Sequence, residues 1–288
     1  MPDSFNSLLS IPSGVGIGLK AQHYQAVLDQ HPNIDFLEIH PENYMGDGGL
    51  SHRYLETIRN LYPVSMHGVG MSLGGSDELN IAHLERLKTL CDRYQPCLVS
   101  EHLSWSHFEN TFFNDLLPLP YTQESLQLVC NNIDRMQNYL NRKVLLENPS
   151  TYIAFKNNEY TESEFLNLVV QRTECGLLLD INNVFVSATN NGFDPYRYIE
   201  QISIDAVAEI HLAGHTETKL SSGKVLRIDD HGSPVKNDVW QLYRYFLKRT
   251  QAPVATLIEW DTEVPELPVL LQQAQQAAIY LNEVYSTS

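Results

Sequence analysis

Seven short apolar runs in this 288-residue chain finish on side chains that can ligate a metal. They read FLEIH (Glu38, His40), SMHG (His67), VSEHLSW (Glu101, His102), LLEN (Glu147), LLDINN (Asp180), EIHLAGH (His211) and LIEWD (Glu259, Asp261). One such residue alone would mean little, because a lone Glu pairs with Arg or Lys and a lone His hydrogen-bonds a loop carbonyl. Repetition changes the argument. Interior strand positions are otherwise Val, Ile and Leu, and carboxylates gathered in a partly buried place repel one another unless cations sit among them. The segment RIDDHGSPV adds Asp229 and His231, two residues apart on an extended loop and able to face one ion. Asn183, three residues past Asp180, can add an amide oxygen from the turn after its strand. Mixed imidazole and carboxylate donors suit zinc, manganese or ferrous iron, while the absence of neighbouring thiolates argues against copper(I) or an iron–sulfur cluster.

Elements that could bring these residues together are visible in the alternation of β-rich runs with amphipathic helical stretches. The strand candidates are Val15 to Leu19, Ile34 to Ile39, Val64 to His67, Leu98 to His102, Lys143 to Glu147, Gly176 to Asp180, Ala206 to His211 and Ala255 to Glu259. Helical periodicity marks Ile81 to Tyr94, Glu124 to Leu140, Glu162 to Arg172, Val239 to Lys248 and Leu267 to Tyr285. Eight units at this length predict an α/β fold, a single (β/α)₈ TIM barrel filling residues 1–288 as one domain. A parallel barrel brings its strand C-termini to one rim, so distant residues become neighbours there. Two βα connections are long, His102 to Tyr121 and Leu212 to Pro234, and belong to that same face. The first carries Trp105, Phe108, Phe112 and Phe113, which read either as a peptide-binding wall or lid, or as packing over the barrel end. Glu42 and Asn43 of HPENY read either as peptide contacts or as loop caps.

Other chemistries fare poorly. GVGIGL lacks the G-x-G-x-x-G spacing and falls inside a strand, so its glycines read as packing; P-loop, GxSxG and HExxH motifs are missing. His23, His31, His52, His83 and His107 fall on helices or loops and are expected to be structural. The four cysteines, Cys91, Cys97, Cys130 and Cys175, form no CxxC pair and read as buried small hydrophobes. A net charge of -16, from 35 acidic and 19 basic residues, leaves no basic track for nucleic acid. No run of eighteen apolar residues predicts a membrane span, so a soluble, cytoplasmic protein is expected.

Taken together, HPENY, MHGVGMSLG, SEHLSW, LPLPYT, LLENPSTY, LLDINNVFVSATNNG, EIHLAGH, DDHG and LIEWD resemble the multinuclear non-heme iron-dependent oxidative enzymes, from about Gly14 to Leu281. More distantly, the ligand order is similar to that of the xylose isomerase and endonuclease IV barrels, making the fold xylose isomerase-like. The resemblance implies that His67, His102, Glu147, Asp180, Asn183, His211, Asp229, His231 and Glu259 hold two or three iron ions, mixed ferrous and ferric. It implies dioxygen as co-substrate and a Cys-containing, ribosomally made precursor peptide as substrate, brought by a small peptide-presenting partner protein. Endonuclease-like barrels carry a histidine where this chain has Asn183, which leaves one ion's site weaker or more open. Asp261 is the candidate catalytic residue, either a proton-transfer group or a carboxylate orienting a histidine. Membership of Glu38, His40 and Glu101 stays open. Two other classes stand beside the oxidase: a zinc- or manganese-dependent hydrolase or isomerase of a sugar or phosphoester, disfavoured by the acidic charge, and a non-catalytic metal-binding protein.

Overall fold

Strand β1 (Val15–Gly18) is hydrogen-bonded on one side to β2 (Phe36–Ile39) and on the other to β12 (Ala255–Ile258), which closes a parallel barrel. The ring continues from β2 through β3 (Val64–Gly68), β4 (Leu98–His102), β7 (Leu145–Glu147), β8 (Gly176–Asp180) and β9 (Val207–Leu212) back to β12. This computed structural model describes residues 11–109 and 111–285. The strands are short apolar runs because helices cover them outside and side chains fill them inside, leaving no wet face. The helices show the matching one-sided pattern. In α3 (Ile81–Tyr94), Leu84, Leu87, Leu90, Cys91 and Tyr94 face the core, following α1 (Tyr24–Gln30) and α2 (Leu50–Arg59). The others are α4 (Gln123–Leu140), α5 (Glu162–Thr173), α6 (Ile181–Asn191), α7 (Pro195–Gln201), α8 (Asn237–Leu247) and α9 (Leu267–Tyr285).

Alternation along each strand sorts the interior into layers. Phe36, Leu98, Leu145, Leu178, Ala255 and Leu257 form an inner apolar cluster. Two residues further along the same strands stand Glu38, Ser100, Glu147, Asp180 and Glu259, so the interior turns polar toward the strand C-termini. Outward positions such as Leu37, Val64, Val99, Leu146, Leu179 and Ile210 join the large core beneath the helices. Gly16 has its packing reason here: a Cβ would stand 2.7 Å from the Phe36 ring, which fills the interior beside β1.

Both long connections fold into antiparallel hairpins, β5 (Trp105–Phe108) with β6 (Thr111–Leu117), and β10 (Thr216–Lys219) with β11 (Val225–Ile228). The expected turn after Asp180 is instead the first turn of α6. Asp180 is its N-cap, accepting from the Asn183 amide at 2.6 Å, so one residue ends a strand and starts a helix. All four cysteines are free and buried, and burial pushes the thiols of Cys97 and Cys175 up to about 12 and about 11. Among the described residues no helix is long and apolar enough to cross a membrane.

Glu162 opens α5 and ties three segments together: Tyr121 donates to one carboxylate oxygen at 2.7 Å and Tyr198 of α7 to the other at 2.8 Å. Desolvation outweighs these two hydrogen bonds and raises its pKa from 4.5 to about 7. A carboxyl that holds its proton more tightly when folded stabilises fully below 4.5, and that contribution is lost as pH rises through about 7. The melting temperature should therefore fall more steeply from pH 5 to 7.5 in the native chain than in Glu162→Gln, by about the few degrees expected for a perturbation of this kind. Parallel melting curves across that window would contradict the shift.

Candidate metal centre

His67, His102 and Glu147 end β3, β4 and β7, which are successive staves of the barrel. His102 Nδ1 lies 3.0 Å from the Gly68 carbonyl oxygen, to which it can only donate, so its Nε2 presents a lone pair. His67 Nδ1 meets Ser100 Oγ at 2.8 Å, which likewise turns Nε2 inward. The two Nε2 atoms stand 3.3 Å apart, and each is 3.1 Å from Glu147 Oε2. Ligand bonds of about 2.1–2.2 Å at right angles put neighbouring donors about 3.0 Å apart. The triangle therefore has the dimensions of one face of an octahedral site, and two imidazoles with one carboxylate are a donor set used for non-heme ferrous iron.

A second group abuts the first, with the rings of His67 and His211 centred 5.0 Å apart. His211 Nδ1 lies 3.0 Å and His231 Nδ1 3.3 Å from Glu259 Oε2, and His231 Nε2 is 2.6 Å from Asp229 Oδ1. The Asp-x-His pair thus converges as its spacing predicts, at the cost of a left-handed backbone at His231 (φ 46). Asp180 Oδ1 caps α6, and its Oδ2 is buried with no hydrogen-bond partner. Asn183 donates through Nδ2 to Glu147 Oε1 at 3.2 Å and to the Asn148 carbonyl at 3.1 Å. Asn148 in turn pairs with both backbone groups of Asp180 at 2.9 Å, extending the β7–β8 ladder by a side chain.

Electrostatics shows what this crowding costs. Burial, followed by the Glu147 carboxylate, pushes Asp180 well above the usual range. Burial alone would lower His67, yet Glu147 beside it holds it up at about 10. Burial would raise Glu259, but His231 and His211 keep it well below the ordinary carboxylate range. Among the described residues, Asp180 Oδ2 and Asn183 Oδ1 are buried without a hydrogen-bond partner, and Glu147 Oε2, His211 Nε2 and His231 Nε2 are buried with only ring nitrogens or carboxylates of the same cluster beside them, none in hydrogen-bond geometry. Orphaned donors and acceptors are rare in folded interiors, and these five belong to one mixed oxygen and nitrogen set, so the residues fit a cluster of divalent cations.

Residues whose membership the sequence leaves open separate clearly. Glu38 lies beneath the centre, 3.2 Å from His211 Nε2, and accepts from Ser65 at 2.9 Å. His40 stands at the cavity wall, its Nδ1 3.2 Å from the His67 carbonyl and its Nε2 3.4 Å from Asp261. Glu101 points away: its oxygens accept from the Gly70, Met71 and His102 amides, and burial, then Glu42, lifts it to about 7. Glu42 holds the Val69 amide at 3.0 Å, the loop-cap alternative of its sequence reading. Asp261 pairs with Lys20 at 2.5 Å and His231 Nδ1 at 3.2 Å, and is held far below the carboxylate range by its His231 and His40 contacts despite burial. His23, His52 and His83 bond to Pro265, Tyr94 and Glu42, outside the centre. Missed by sequence reasoning were Ser100, Asn182 and His215, while Lys20, a candidate partner for Glu38 or Glu101 in the sequence, pairs with Asp261 instead. Asn182 donates to Asp229 Oδ1 at 2.7 Å and accepts from His215 Nδ1 at 2.8 Å, a chain that fixes Asp229. The signal lay in quoted motifs, the first Asn of DINN and the last His of EIHLAGH.

A cavity of about 540 Å³ lies over the centre. Phe112, Phe113 and Leu116 of β6 form one side, Tyr152 another, and no Lys or Arg is among its described lining residues. Phe112 and Phe113 line this cavity, Phe112 65% exposed, whereas Phe108 lines a different depression.

His211→Ala or Glu259→Ala should each lower the metal count per chain, read by elemental analysis of the purified protein. Asn182→Ala should keep the count while weakening metal affinity about 10- to 100-fold, as loss of an outer partner does. Full metal retention in both His211→Ala and Glu259→Ala would contradict the ligand set.

Comparison with known proteins agrees with this geometry. UPF0276 proteins of Paraburkholderia phytofirmans and Psychromonas ingrahamii are 51% and 44% identical over 263 residues, covering 91% of this chain and 85% and 92% of theirs. Endonuclease IV of Thermus thermophilus shares the fold with TM-score 0.61 at 17% identity, covering 94% of this chain and 99% of its own. A D-psicose 3-epimerase of Clostridium cellulolyticum, solved with D-tagatose, does so with TM-score 0.61 at 11% identity and the same coverages, which makes the barrel xylose isomerase-like. Residues 14–282 match the model of the RiPP precursor modification enzyme MbnB/TglH/ChrH, and the chain accordingly belongs to that family of enzymes, the multinuclear non-heme iron-dependent oxidative enzymes.

Proposed function

We propose that this chain is a cytoplasmic, dioxygen-using oxidative enzyme that modifies cysteine residues of a ribosomally made peptide. In this reading two or three iron ions are held by His67, His102, Glu147, Asp180, Asn183, His211, Asp229, His231 and Glu259. The observation that carries it is the two-histidine, one-carboxylate face beside a second donor cluster, in a cavity walled in part by Phe112, Phe113 and Tyr152 with no Lys or Arg among its described lining residues. That lining suits an uncharged peptide segment, and it gives a phosphoester no Lys or Arg among the described residues to hold it beyond the metal ions themselves. Iron at this centre would supply one-electron redox chemistry toward dioxygen and a Lewis-acidic seat for a thiolate.

The protein's own groups divide the remaining work. Phe112, Phe113 and Tyr152 flank the entering peptide and keep bulk water from the thiol. Ser100 and the Gly68 carbonyl fix the rotation of His67 and His102, and the His215–Asn182 chain fixes Asp229. Asp261, ionised and gripped by Lys20, faces His231 Nδ1, which fits orienting that ring better than donating a proton. A small partner protein would present the peptide at the open mouth.

An oxygen electrode with the iron-loaded enzyme and a Cys-containing precursor peptide should record dioxygen uptake that stops when Cys is replaced by Ser. The zinc-loaded enzyme should be silent. Turnover with zinc or manganese in the absence of dioxygen would favour a hydrolase or isomerase instead, and no turnover with any metal or peptide would favour a binding protein. Asp261→Asn should keep its metal and lose about 10- to 100-fold in rate if the residue orients His231. A loss nearer 10⁴-fold would mark direct proton transfer, and an unchanged rate would remove Asp261 from the mechanism.

A further inference from the structure

A second cavity, of about 550 Å³, opens next to the metal cavity and shares a wall with it. In the segment after β7, Pro149, Ser150 and Tyr152 line the metal side, while Thr151, Ile153 and Ala154 line the other. The end of β6 divides the same way, Leu116 on the metal side and Pro118 with Leu119 beyond. The second cavity is largely apolar, formed by Leu119, Ile153, Ala154, Phe155 and Phe193. Its half-buried acid, Glu162, already has both oxygens engaged by Tyr121 and Tyr198, and Asp194 caps α7 through the Tyr196 amide. Arg197 is the sole Lys or Arg among the described lining residues. An anionic ligand would find little to hold it there, and the net charge of -16 repels one at long range. Ile153 on the dividing wall is 59% exposed, Tyr152 43%, and Phe193 across the cavity 41%. Apolar surface of this kind beside a cavity marks a binding site waiting for an apolar partner.

We propose that this cavity takes a large apolar side chain of the same peptide whose reacting residue enters the metal cavity, making it a second recognition point for the substrate. The inference rests on the peptide-modifying reading and adds a sequence requirement to it. A wall one backbone segment thick spans about 10 Å with its side chains, which an extended chain crosses in about three residues. The preferred substrate therefore carries Leu, Ile or Phe about three residues from the reacting position, with the chain passing over Tyr152 and Ile153.

The test uses the full-length, metal-loaded protein and a neutral apolar fluorophore, N-phenyl-naphthylamine, as probe. Two acetylated, amidated Gly/Ser peptides compete with it, each containing one Cys and, three residues away, either Leu or Ser. The probe should brighten on binding, and the Leu peptide should displace it about ten- to hundred-fold more tightly than the Ser peptide, the effect of burying one such side chain. Ala154→Trp, which fills the cavity from an exposed position, and Ile153→Asp should each remove that preference while leaving the metal count unchanged. Equal binding of the two peptides, or a Leu preference that survives both substitutions, would overturn the proposal. A Leu preference in a protein that oxidises neither peptide would count against the oxidase reading and leave the second cavity standing; oxidation without a Leu preference would do the reverse.

Discussion

Buried carboxylates and imidazoles gathered at one end of a barrel are tolerable only if positive charge stands among them. Removing an ion from water costs several kcal/mol even after the protein relaxes, and here Glu147, Asp180 and Glu259 meet within one interior rim. Protons alone distribute that charge badly: Asp180 is driven toward its neutral form while His67 and His231 are driven toward their charged ones. Cations in the shared space would satisfy the orphaned atoms of all these groups together. Much of the surrounding structure serves this arrangement. The apolar layer around Phe36 and Leu257 fills the interior below, and Ser100, Asn148, Asn182 and His215 hold individual donors in place from behind.

The strand register is what converts sequence into site. Because side chains alternate along a strand, a ligand two residues past an apolar inward position must also point inward. LLE, GLLLD and ATLIE each obey that rule. This is why seven of the eight barrel strands were legible from short runs ending on His, Glu or Asp, whereas the full set of nine proposed donors, three of them away from the strand ends, came from the resemblance to the family. Glu101 shows the same rule from the other side. It immediately precedes His102 on β4, so it faces outward and spends its carboxylate on loop amides.

What stayed illegible has a common cause: it depends on contacts between segments whose approach no periodicity encodes. The Asn182–His215 chain joins the start of α6 to the loop before β10, and Lys20 reaches Asp261 from the opposite end of the sequence. The β5–β6 hairpin inside the first long connection was likewise hidden, because FENTFF lacks the Asn-Gly type of turn that announces a tight hairpin. Asn183 was read as a turn residue because the capping role of Asp180 makes strand end and helix start coincide. The hairpin β5–β6 and the segment 149–155 together give the centre its walls. In the proposed reading six donors stand at the ends of the rigid staves, Asn183 starts α6, Asp229 and His231 come from a loop, and substrate choice falls to the loops, as barrels of this kind allow.

Mössbauer spectroscopy of protein made in iron-57 medium and purified without air tests the central claim most directly, since it counts iron per chain and shows whether the ions are coupled. The account predicts two or three irons per chain in one exchange-coupled cluster, with ferrous and ferric sites both present. A single isolated iron, or a full complement of zinc or manganese that iron cannot replace, would contradict it.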